Sequence, residues 1–98
     1  RVFRFAESFN QPIGDWNINS NDFYGMFEGA ISFNQDLSNL NFSDNTNLGN
    51  MFKNAESFNK NLSDWDVSEV TFCLDFCLGA SSWTLPKPNF TNCESGCD

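Results

Sequence analysis

The most reactive side chains are four cysteines, Cys73, Cys77, Cys93 and Cys97, all in the last 26 residues of the chain. Their spacing is C-x3-C, fifteen intervening positions, C-x3-C. Four thiolates can hold zinc, but the knuckles of such a site are normally C-x2-C. An even number of cysteines in a small chain favours disulfides and an oxidising compartment. There is no histidine, so the commonest metal ligand and general base is missing. No metal site and no cofactor is expected.

Carboxylates come next. Asp15, Asp64 and Asp66 recur at related positions, with Asn17, Asn39 and Asn41 in the same columns. A glycosidase pair needs carboxyls about 5–9.5 Å apart. Asp15 and Asp64 lie two repeats apart, about 10 Å at the spacing of stacked strands, and no pocket is implied. The chain is not expected to be an enzyme. Neither Asn19, Asn21 and Asp22 nor Asp44, Asn45 and Asn47 has the spaced loop of a dedicated calcium site. Asn41, Asn61 and Asn89 each begin an Asn-x-Ser/Thr sequon and are candidate glycosylation sites in a eukaryotic secretory route.

These groups must be positioned by a repeat. The word Ala-x-Ser-Phe-Asn starts at Ala6, Ala30 and Ala55, with a worn copy at Ala80. A word that returns about every 25 residues marks a stacked repeat. Apolar residues at i, i+3, i+4 and i+7 (Phe23, Met26, Phe27, Ala30; Leu48, Met51, Phe52, Ala55) predict a short helix. The pattern Ile13-x-x-Trp16-x-Ile18, Leu37-x-x-Leu40-x-Phe42, Leu62-x-x-Trp65-x-Val67 ends in strand-like alternation. The column Asn10, Asn34, Asn59 fits turns and stacked amides better than a binding ladder.

The expected fold is therefore an α/β solenoid. The pattern Leu37-x-x-Leu40-x-Phe42-x-x-Asn45 resembles the leucine-rich-repeat strand signature, and that resemblance implies a right-handed, leucine-rich-repeat-like coil of about four 24–25-residue repeats, each a short strand plus a short helix. Residues 1–76 form the tandem repeats, and residues 77–98 a cysteine-containing C-terminal cap. Cys73 and Cys97 lie one period apart, so stacking predicts Cys73–Cys97 with Cys77–Cys93 nested inside. The crossed pairing, Cys73 with Cys93 and Cys77 with Cys97, falls short of the period.

A net charge of −8 and a pI near 4.1 disfavour nucleic acid and anionic membrane surfaces as partners. No apolar run reaches the roughly 20 residues of a membrane span, so no membrane insertion is expected. The start Arg1-Val2-Phe3-Arg4 shows no signal-peptide apolar region and is compatible with one already cleaved or with a longer parent. Twelve Phe and three Trp supply the core, since large rings bury much area per residue.

The stretch Met51-Phe52-Lys53-Asn54-Ala55-Glu56-Ser57-Phe58-Asn59, continued by Leu62-Ser63-Asp64-Trp65-Asp66-Val67-Ser68-Glu69-Val70-Thr71, resembles the repeat of BspA-like leucine-rich-repeat surface proteins (the DUF285-type repeat). Residues 26–43 resemble it well, and residues 2–18 do so with Gly14 for Ser. The resemblance implies an extracellular or cell-surface location, adhesion or protein–protein contact, and no catalytic residues. It also implies that ligands, a protein or glycan surface, dock on the face carrying Asp15, Asn17, Asn39, Asp64 and Asp66. The alternative expectation is a structural subunit of an extracellular filament, self-associating head-to-tail through an open end at Val2 and Phe3. Ice binding would want a regular Thr column, and Thr46, Thr71, Thr84 and Thr91 form none.

Overall fold

Backbone conformation in each repeat is set by residues that tolerate a left-handed φ. In the computed structural model, which describes residues 3–15, 23–40 and 47–97, such residues of the repeats fall in two columns, with Gly96 near the C-terminus (φ 65°) outside them. Gly25, Asn50 and Asp75 have φ of 63°, 56° and 59°, and Phe5, Gly29, Asn54 and Gly79 have 62°, 69°, 60° and 81°. Each occupies the third position of an i→i+3 turn. The Met26 N–H donates to the Phe23 carbonyl at 3.2 Å and the Ala30 N–H to the Phe27 carbonyl at 3.0 Å. The equivalents are Met51 to Leu48 at 3.3 Å, Ala55 to Phe52 at 3.0 Å, Phe76 to Cys73 at 3.1 Å and Ala80 to Cys77 at 3.1 Å. A positive φ at that position is what a type II turn requires, and Gly, Asn and Asp supply it at low steric cost.

The remaining donors in these segments point to the next repeat. The N–H groups of Gly25, Phe27 and Gly29 donate to the carbonyls of Gly49, Met51 and Lys53 at 2.9, 2.8 and 2.8 Å. Those of Asn50, Phe52 and Asn54 donate to Leu74, Phe76 and Leu78 at 3.0, 2.8 and 2.8 Å. Local turns and inter-repeat bonds alternate along the chain, so the backbone polar groups are paired without a helix or a sheet.

The expected α/β solenoid is therefore overturned. Among the described residues there is no helix and no strand, only an isolated parallel bridge between Asn47 and Phe72. Phe23, Met26, Phe27 and Ala30 are all buried on one side, as a helix would bury them. Yet a left-handed residue at every fourth position breaks a right-handed helix. Successive turns return the same side chains to the same side. The strand-like segments are also turns: Leu40 donates to Leu37 at 3.0 Å, Trp65 to Leu62 at 3.1 Å and Val70 to Val67 at 3.0 Å. Trp16, Ile18 and Phe42 lie outside the described residues.

The core is two columns of stacked rings. Phe3, Phe27 and Phe52 follow one another at centroid distances of 5.5 and 5.4 Å, and Phe9, Phe33 and Phe58 at 5.8 and 5.9 Å. The columns touch at 4.2–4.3 Å. In the last repeat the stacking turns edge-on: Phe76 meets Phe52 at 74° and Trp83 meets Phe58 at 81°. Beside the rings runs the Asn column. The Asn10 Oδ1 accepts the Asn34 N–H, the Asn34 Oδ1 the Asn59 N–H, and the Asn59 Oδ1 the Thr84 N–H, each at 2.9 Å. The ladder runs from side chain to backbone rather than from amide to amide.

All four cysteines are bonded, but in the crossed order: Cys73–Cys93 and Cys77–Cys97, with Cα separations of 6.0 and 5.1 Å. The nested pairing fails because the last repeat is shorter. As far as Asn92, whose Nδ2 donates to the Ser68 carbonyl, the register is 24 residues. One residue later Cys93 faces Cys73, and the Asp75 N–H donates to Ser95 at 2.8 Å, both 20 residues apart. Residues 69–72 thus have no counterpart in the cap, and both disulfides follow the shortened register.

Candidate functional site

Polar side chains that the stack does not consume gather on the segment after the Asn column. Asp15, Asn39 and Asp64 share one column, and all three are exposed. Between the first two repeats, Pro12, Gly14, Asp15, Gln35, Asp36 and Asn39 line a surface groove of about 350 Å³. Gly14 stands where later repeats carry Ser38 and Ser63. A Cβ there would sit 2.5 Å from the Asp36 carbonyl oxygen, so only glycine allows this close approach of the two backbones. The groove brings together Asp15 and Asn39 of the expected ligand face and adds Gln35, Asp36 and Pro12, which sequence reasoning missed. Asp64 and Asp66 are exposed farther along the stack and do not line it.

Several of these side chains are locked by turns of their own. The Ser38 N–H donates to Asp36 Oδ1 at 2.9 Å, and donation from the Ser38 backbone, then its hydroxyl, then the nearby Lys60 charge hold the Asp36 carboxyl below its ordinary value. Asp66 is likewise lowered, first by the Ser68 hydroxyl at 2.7 Å and then by its N–H. Asn61, one repeat after Asp36, repeats the motif: its Oδ1 accepts from the Ser63 N–H at 3.0 Å and the Ser63 hydroxyl at 2.7 Å. The Asp/Asn-Leu-Ser spacing was the available signal for this column.

Asn61 and Asn89 are exposed, which keeps both sequons accessible. Asn17, Asn41 and Val2 lie outside the described residues. Phe3 is half-buried, stacked on Phe9 at 4.2 Å and on Phe27 at 5.5 Å. Among the described residues no three Cys, Asp or Glu side chains form a group that could hold a metal ion, and no helix is long and apolar enough to cross a membrane.

The family model described as "Mycoplasma protein of unknown function, DUF285" matches residues 1–89. The chain belongs to the DUF285 family. No curated protein and no solved structure matches it. The family description names no activity and no ligand for this DUF285 chain. Its two disulfides fit an oxidising environment.

Proposed function

We propose that this DUF285 chain is a non-catalytic extracellular or cell-surface repeat protein of the BspA-like kind, which contacts a partner protein or glycan through its acidic face. The observation that carries this reading is the groove of Asp15, Asp36, Gln35 and Asn39. Carboxylates and amides lie side by side there on a hydrogen-bonded backbone. Planar acceptors and donors of this kind suit sugar hydroxyls or the basic side chains of a protein partner. The test is binding of labelled, oxidised protein to a printed glycan array and an array of cell-surface ectodomains. The triple variant Asp15→Ala, Asp36→Ala, Asn39→Ala should lose at least about tenfold in affinity for any hit, about 1.4 kcal/mol. Undiminished binding refutes the acidic face as the contact.

Head-to-tail assembly is the second reading, favoured by Phe5, 58% exposed. It predicts ordered polymers by negative-stain imaging and their loss in Phe3→Glu. A particle of constant mass at high concentration excludes it.

A further inference from the structure

A second groove, of about 420 Å³, lies at the C-terminal end of the stack and has the opposite character to the acidic one. One wall is the last turn, with Gly79, Ser81 and Trp83, and the other is the closing segment, with Lys87 and Ser95. The Cys77–Cys97 disulfide joins the two walls and itself lines the groove. No Asp or Glu lines it, in a chain of net charge −8. Lys87 is the only Lys or Arg after Lys60. Its Nζ donates to the Trp83 carbonyl at 3.2 Å and lies 5.3 Å from the centre of the Trp83 ring. Those contacts tether the ammonium at the groove and engage one of its three N–H donors. Arg4 and Lys53 are paired with Glu28 and Asp75, whereas Lys87 has no carboxylate partner among the described residues.

The backbone adds a further donor. In the column of Gly29, Asn54 and Gly79, the Gly29 N–H donates to the Lys53 carbonyl and the Asn54 N–H to the Leu78 carbonyl, each at 2.8 Å along the stack. The Gly79 N–H, next in this column, has no acceptor among the described residues. By the same register it points past the last turn, on the side of the groove that Gly79 lines. The lining therefore offers an ammonium, a backbone N–H and the hydroxyls of Ser81 and Ser95. Cationic and N–H donors with no acid beside them select an anion, and a carboxylate takes charge-assisted hydrogen bonds from both. The two serine hydroxyls both donate and accept, which suits hydroxyls on the ligand. The volume lies at the small end of ligand sites and fits about one sugar ring. We propose that this groove binds a sugar acid, its carboxylate on Lys87 and the Gly79 N–H and its ring hydroxyls on Ser81 and Ser95. The site shares no residue with the acidic face and does not depend on it.

The test is titration of the oxidised, isotope-labelled full chain with D-glucuronate, followed by amide NMR. The Gly79 amide should move saturably, with a Kd of about 1 mM. D-Glucose, which lacks the carboxylate, and acetate, which lacks the hydroxyls, should each bind at least about tenfold more weakly. Lys87→Gln should weaken glucuronate binding by at least about tenfold. Arg4→Gln removes the same charge in the first repeat and should leave binding unchanged. Amide shifts that match the parent protein outside the groove will show both variants folded. No saturable shift at Gly79 up to about 20 mM, equal affinity for glucose or for acetate, or undiminished binding in folded Lys87→Gln overturns the proposal.

Discussion

Substitution of Asn54 separates a stack of turns from a stack of helices by the sign of its effect. Asn54 is exposed and has φ of 60°. In a helix interior, alanine would be the best residue there, and glycine would be about 1 kcal/mol worse than alanine. In the left-handed conformation the order reverses. Alanine meets the following carbonyl and loses about 1 kcal/mol, whereas glycine removes that clash and returns much of the gain as unfolded-state entropy. The expected order is therefore Gly close to Asn, with Ala about 1 kcal/mol below, a contrast of about 2 kcal/mol with the helical case. Asn54 Oδ1 lies where a Cβ on Gly79 would fall, at 2.2 Å, so neither substitution crowds a neighbour. Urea unfolding of the two variants measures the difference, and melting temperatures should differ by about 4–8 °C for a domain of this size. An alanine variant more stable than the glycine variant would refute the left-handed column.

Phe33, fully buried between Phe9 and Phe58, should cost about 3–5 kcal/mol on replacement by alanine; a loss below about 1 kcal/mol in denaturant contradicts the ring columns as the core. Reduction opens two loops of 20-residue separation, each contributing about 3 kcal/mol in the chain-entropy account, and should lower the urea midpoint; an unchanged midpoint removes the cap from the stability of the fold. Asp66 has a carboxyl pKa depressed from 3.8 by Ser68. A depressed acid favours the fold above the ordinary carboxyl value, and that contribution fades as pH falls through the lowered one. In Ser68→Ala the Asp66 midpoint, followed by carboxyl NMR, should move up toward 3.8; no movement rules out the hydroxyl contact.

Much of the architecture is legible in the chain. The Ala, Phe and Asn columns recur once per repeat, and the same columns carry the close turns, the stacked rings and the side-chain-to-backbone ladder. The local conformation is misread for a definable reason. Spacing of three and four positions arises from helices and also from consecutive turns. The residues that decide between them are Gly25, Asn50, Asp75 and Gly29, Asn54, Gly79, just before the Met and Ala columns. Their types recur as Gly, Asn or Asp, and that column is the missed signal. Phe5 hides it in the first repeat, because a bulky residue there holds φ of 62° with its ring over Gly29.

Reading the disulfide order from the period fails because the period holds only to Asn92. Nothing in residues 91–97 alone shows that the cap omits a counterpart to residues 69–72; that becomes visible only when Ser95 is found against Asp75. The groove is half visible, since Asp15 and Asn39 share a column. Gln35 and Asp36 enter it because Gly14 lets the first repeat approach the second.

The register of the stack, on which the acidic face depends, is tested most directly by mapping the disulfides in non-reduced protein. Cleavage after Glu94 separates Cys93 from Cys97, and chymotryptic cleavage after Leu74 or Phe76 separates Cys73 from Cys77. Mass spectrometry should find Cys73 joined to Cys93 and Cys77 joined to Cys97. Peptides joining Cys73 to Cys97, or free thiols at any of the four, would contradict the shortened register and the cap built on it.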